Sequence, residues 1–176
     1  ESRGLGDVYK RQDHVGAISS ALHKGLTVVY PDLFSSGFKK RIADEKLDGI
    51  PVNSPVEFHP GLRSTGGLGK GIVEQSLIVE GEDGPILITG CAHPGIVNIA
   101  RVATELAGGP LRLVIGGFHL LAKSEAEVQM IAAQLKDLGI RQLGPCHCTG
   151  ERAIAILGEE FKGAFVPVKA GARIPI

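Results

Sequence analysis

The chain has 176 residues, 43% of them apolar and 22% charged, which fits one ordinary globular domain or a piece of a larger one. Its 19 lysines and arginines balance 19 acids, and aromatic residues make up 5%, so neither a basic surface nor a base-stacking platform for nucleic acid is indicated. No apolar run approaches the roughly 18 residues of a membrane span. The opening ESRGLGDVYKRQ lacks the apolar core of a secretory signal. Three cysteines, two of them in Cys146-x-Cys148, make no disulfide framework, and the chain reads as cytoplasmic.

Taken in order, VGAISSALHKG (15–25) has helical spacing and LTVVYPDLF (26–34) reads as a strand. KKRIADEKLDG (39–49) reads as a charged surface excursion. The stretch GGLGKGIVEQSLIVEGEDGPILITG predicts a glycine-rich loop and then a hairpin, Leu77–Glu80 with Ile86–Thr89, around Glu82-Asp83-Gly84-Pro85.

From residue 86 onward strands and helices alternate. ILIT (86–89) is an apolar strand, and Ile96, Ala100, Ala103 and Leu106 recur at helical spacing before Gly108-Gly109. LRLVIGG (111–117) is a second strand. Ser124 and Glu127 stand at capping-box spacing ahead of the apolar face Val128, Ile131 and Leu135, with a stop at Gly139. IRQLGP (140–145) predicts a third strand, ERAIAILGEEF a third helix and AFVPV (164–168) a last strand. Such alternation is the mark of βαβ units, and the chain is read as one layered α/β unit without repeats.

Ligands of open α/β sheets gather at the carboxyl ends of the strands. Three strands here end in chemistry-bearing residues. The first delivers Cys91 and His93, the second His119 behind Gly116-Gly117, and the third Cys146, His147 and Cys148. Half of the six histidines and all three cysteines therefore converge on one rim. Cysteine sulfur and imidazole nitrogen are the ligands that zinc and iron prefer. A fourth histidine, His14, stands beside Asp13 in QDHVGAI, a pair that can serve one metal through carboxylate and imidazole.

Taken singly, each residue also has a plainer reading. His93 before Pro94-Gly95 fits a turn, Cys91 fits a small buried hydrophobe, and His119 fits a hydrogen bond across a loop. On an extended strand end, Cys146 and Cys148 face away from His147, so one face at most supplies a ligand, with the histidine preferred. STGGLGKG (64–71) fails the phosphate-loop pattern, with Ser64 for the first glycine and Gly71 for the serine or threonine. His23 and His59 read as surface residues. Cys-x-Cys has one intervening residue where the redox motif needs two, and no G-x-S-x-G is present.

The motifs DHVGAI, LITGCAHPGIVNI, VIGGFHL and PCHCTG, in that order, resemble those of the metallo-β-lactamase-fold hydrolases, and among them the branch with the dihydropterin ribofuranosylaminobenzene-phosphate synthases. The resemblance runs over residues 13–176. It implies a four-layer αββα sandwich with one or two divalent metal ions between the inner sheet edges, zinc first, manganese or iron as alternatives. It implies His93 and His147 as ligands, and Asp13 and His14 at a second metal position. Cys91 stands where many relatives place a bridging aspartate, as a thiolate ligand or as packing, and His119 resembles a substrate-facing residue.

The family's H-x-H-x-D-H motif would place its first two histidines at Tyr9 and Arg11. A guanidinium cannot ligate a cation. Residues 1–12 are therefore read as a leader foreign to the fold, and 13–176 as an incomplete domain, mainly the C-terminal part of the sandwich. The implied reaction is hydrolysis of an ester or phosphoester of a small anionic substrate by metal-activated hydroxide, with Asp13 as the catalytic residue that orients the hydroxide or accepts its proton. The helix after His93 would steady the anion at its N-terminus. Two competing readings are a non-catalytic anion-binding module on the same scaffold and a remnant without function.

Overall fold

The computed structural model describes residue 23 and residues 25–175. The expected helix over 15–25 falls almost wholly outside the described residues. The chain enters β1 (Thr27–Pro31), passes through α1 (Ser36–Asp44) and returns as β2 (Asp48–Val52), parallel to β1. Ser35 starts α1 by accepting a hydrogen bond from Phe38 N at 3.3 Å. Phe38 and Ile42, four residues apart, share one helix face and pack on Tyr30 and Leu47.

The charged excursion expected over 39–49 is thus corrected: it is most of a helix and the start of a strand. Its charges lie on the outer side, with Lys39 on Asp32 and Lys40 on Asp44, both at 2.7 Å, and two apolar side chains carry the packing. Charge density alone misled, because a four-residue apolar spacing suffices to dock a short helix.

The second sheet has six strands in sequence order: β3 (Val56–His59), β4 (Leu62–Ser64), β5 (Leu77–Val79), β6 (Ile86–Thr89), β7 (Leu113–Gly117) and β8 (Gln142–Cys146). Neighbours from β3 to β6 are antiparallel; β6, β7 and β8 are parallel. The predicted hairpin is present, with Leu77 opposite Ile88 and Val79 opposite Ile86.

The parallel strands are joined by α2 (Ile96–Ala107) and α3 (Glu125–Asp137), and α4 (Glu151–Phe161) follows β8. Gly108 closes α2 in the left-handed conformation at φ +73°. Ser124 and Glu127 form the full capping box that starts α3. The three helices cover one face of the sheet. Leu87, Val114 and Leu143 meet Ile99 and Ala103 of α2, Val128 and Leu135 of α3, and Leu157 of α4. Each large side chain so buried contributes about 1.5–3 kcal/mol.

The last predicted strand is also corrected. After a 3-10 turn at Lys162–Ala164, Phe165 makes a single bridge to Leu143, and Val166 N donates to Leu143 O at 2.8 Å. Pro167 has no N–H with which to extend the ladder. Among the described residues no helix is long and apolar enough to cross a membrane.

Candidate metal centre

The three parallel strands end in register, with Thr89 opposite Gly116 and Gly117 opposite Cys146. The segments that follow them therefore emerge side by side on one edge. Their approach is closer than side chains permit: a Cβ on Gly116 would lie 2.3 Å from Thr89 O, and one on Gly117 2.4 Å from Gly90 O. Gly117 N donates to Gly90 O at 2.9 Å and Thr89 Oγ1 to Gly117 O at 3.0 Å, tying the ends together.

At this edge the backbone bends sharply. Of the five described non-glycine residues with positive φ, three lie here: Ala92 (+61°), His119 (+52°) and His147 (+52°). Left-handed conformations cost such residues on the order of 1–3 kcal/mol each and cluster where function demands a geometry.

Cys91 is buried at the end of β6, with 4% of its surface exposed. Two residues on, His93 is gripped by Glu74 from the loop before β5. One Glu74 oxygen accepts from the His93 backbone N at 3.0 Å, and the other pairs with ring Nδ1. A neutral imidazole that donates from Nδ1 to a carboxylate keeps its lone pair on Nε2, the nitrogen then left for a metal. The exposed His119 ring lies beside that of His93, centroids 4.3 Å apart.

The expectation that His147 and Cys148 face opposite ways is overturned. β8 stops at Cys146, and His147–Thr149 form a 3-10 turn, so the two-residue alternation of a strand no longer applies. Donor atoms of Cys91, His147 and Cys148 all lie within 4.8 Å of one another, as do those of Glu74, Cys91 and His93. Cys91 is common to both groups. Cys148 Sγ also donates to Cys91 O at 3.5 Å. Thr149 pins the turn, donating to Cys146 O at 2.6 Å and accepting from Phe118 N at 3.1 Å.

Cys146 belongs to neither group. Burial, and then the neighbouring Cys148, push its thiol above the ordinary range, so it stays protonated. None of the three cysteines is in a disulfide. His23 and His59 are exposed, as expected, with the His59 ring donating from Nδ1 to Pro60 O at 3.1 Å. Asp13 and His14, like Tyr9 and Arg11, lie outside the described residues. Sulfur, imidazole and carboxylate donors on one edge suit a divalent ion such as zinc or ferrous iron.

Two members of the site were missed from the sequence. Glu74 had a signal, being the single acid between Glu57 and Glu80, set between Val73 and Gln75. Cys148 was set aside by the strand argument just corrected. On the other side of β5 and β6, a cavity of about 330 Å³ lined by Phe58, Ser64, Leu77 and Ile88 reaches Gly90, one residue from Cys91.

No protein-family model matches the chain. Over 102 residues it is 36% identical to a 7,8-dihydropterin-6-methyl-4-(beta-D-ribofuranosyl)-aminobenzene-5'-phosphate synthase of Methanocaldococcus jannaschii, covering 57% of this chain and 35% of that protein. An uncharacterized protein of the same organism is 36% identical over 74 residues, 42% of this chain and 28% of its own. The crystal structure of Tm1679, a metal-dependent hydrolase of the beta-lactamase superfamily, matches with a TM-score of 0.68 at 30% identity, covering 78% of this chain and 62% of that one. The chain thus spans about a third of the length of the curated relatives it matches.

The fold is that of the metallo-β-lactamase superfamily, the α/β sandwich class expected from the motifs, and the chain resembles the superfamily's metal-dependent hydrolases. Within the superfamily, its sequence resembles a dihydropterin ribofuranosylaminobenzene-phosphate synthase.

Proposed function

We propose that this chain carries the metal-binding edge of a hydrolase that cleaves an ester or phosphoester of a small anionic substrate. The observation that supports this most is that Cys91 and His93 after β6 and His147 after β8 emerge from aligned strand ends, with Cys91 within 4.8 Å of both histidines and Glu74 fixing the His93 tautomer. One or two divalent ions bound there, zinc foremost, would lower the pKa of a coordinated water to about 7 and polarise the scissile group.

The chain's own residues divide the remaining work. His93, through Nε2, and His147 and Cys91 would hold metal at this edge, and Asp13 and His14 would serve the second metal position that the motif resemblance implies. Asp13 would orient the attacking oxygen and accept its proton. His119, exposed beside His93, faces the substrate. The first turn of α2 opens on the same edge, with no side chain capping it, and its N–H groups suit a phosphate or carboxylate. Arg11 at a motif histidine position weakens the second metal position, so turnover by this chain is low. The three cysteines without a disulfide fit a cytoplasmic setting.

The test is hydrolysis of chromogenic phosphodiester, phosphomonoester and carboxylic ester substrates by protein loaded with zinc, manganese or ferrous iron. Metal-dependent turnover that disappears in His147→Ala is the expected result. Absence of turnover in both this chain and Tyr9→His/Arg11→His, with phosphate still bound, would instead favour a non-catalytic binding module.

A further inference from the structure

The Cys148 sulfur occupies a made-to-measure space. A Cβ on Gly117 would lie 2.9 Å from it and 2.4 Å from Gly90 O, so glycine at 117 leaves the room that the sulfur fills. Its own hydrogen bond to Cys91 O and the Thr149 contacts of the turn hold it there. The strained φ of His147 brings that residue's ring nitrogen to the same point, within 4.8 Å of both sulfurs. Cys146, one residue away from that turn, stays outside the cluster.

We propose that Cys91, His147 and Cys148 form one metal position with a two-sulfur, one-nitrogen donor set, in which Cys148 is a ligand. The proposal rests on the metal-centre reading above and adds to it the identity of a ligand and the class of ion. In a tetrahedral zinc site with Zn–S near 2.3 Å and Zn–N near 2.0 Å, donor atoms stand about 3.5–3.8 Å apart. A contraction of at most about 1.3 Å, within reach of side-chain rotation, closes a cluster whose donors lie within 4.8 Å of one another onto an ion. On loading, each thiol gives up its proton as the sulfur–metal bond forms, and the fourth position stays open for water or another ligand. Thiolate ligands select zinc, cobalt(II) or ferrous iron over magnesium and manganese.

The experiment is cobalt(II) titration of the full chain, purified metal-free under reductant and followed by absorption. Sulfur-to-cobalt charge transfer should give an intense near-ultraviolet band that roughly halves in Cys148→Ser and in Cys91→Ser, one of two thiolates being lost each time, and persists in Cys146→Ser. Zinc-edge X-ray absorption of the unmodified chain supplies a readout that no variant can confuse: a sulfur shell near 2.3 Å. Cobalt bound, seen in its visible bands, with neither charge transfer nor a sulfur shell overturns the sulfur site and leaves the metal centre standing. A folded chain that binds neither cobalt nor zinc overturns both.

Discussion

Glu74 holds His93 at two points, its backbone N–H and its ring Nδ1, from a loop nineteen positions earlier in the chain. One side chain thereby fixes both where the imidazole stands and which nitrogen offers a lone pair. Carboxylates behind metal-binding histidines work this way, and losing one typically weakens metal binding by about 10–100-fold. Glu74→Ala should lower zinc affinity by about that factor, and Glu74→Gln, which still accepts from Nδ1–H, by less. Competition against a chromophoric chelator measures it. Equal affinities in folded wild type and Glu74→Ala would mean that His93 is not a ligand.

The close approach of the strand ends is a stability feature as well as a site feature. Gly116 has φ +134° and no room for a methyl group beside Thr89. Gly116→Ala should destabilise the fold by about 2–4 kcal/mol, read from urea unfolding, since both backbone strain and a backbone clash must be relieved. A loss below about 1 kcal/mol would show that the edge relaxes easily.

The N-terminus of α3 gives a prediction away from the site. Ser124→Ala should cost about 1 kcal/mol of stability without changing metal content. Lys123, and then the Ser124 backbone N–H, hold the Glu127 carboxyl down at about 2. A carboxyl depressed in the folded state contributes stability above its unfolded value of 4.5, lost as pH falls toward about 2. Glu127→Gln should therefore flatten the stability–pH curve across that window. Above about pH 6 the two curves should run parallel, with the variant the less stable. Unfolding curves from neutral pH down into that window check this.

Restoring imidazoles at the front of the motif should add metal. Tyr9→His/Arg11→His is expected to raise bound zinc by about one ion per chain relative to the parent, since two histidines with Asp13 and His14 complete a second ligand set. An unchanged content in folded protein would break the motif alignment at residues 9–14.

The second half of the fold was legible because its signals were local and redundant. The Ser124–Glu127 box, the Gly108 stop and the apolar runs at 86–89 and 111–117 each name their element. The short strands β2, β3 and β4 were not read. Three to five residues interrupted by prolines leave little periodicity, although Val56-x-Phe58 and the Pro60-Gly61 turn were usable signs. At the site, strand-end placement brought out Cys91, His93, His119 and His147. Glu74 escaped because its partner is remote in sequence, and Cys148 because the strand was assumed to run on through residues 147 and 148, where a 3-10 turn begins.

The most direct measurement is zinc per chain, by inductively coupled plasma mass spectrometry, on the full chain and on Cys91→Ala/His147→Ala. About one zinc in the parent and almost none in the folded double variant is the predicted result. A folded parent without metal, or a double variant that keeps it, would contradict a metal centre at these strand ends.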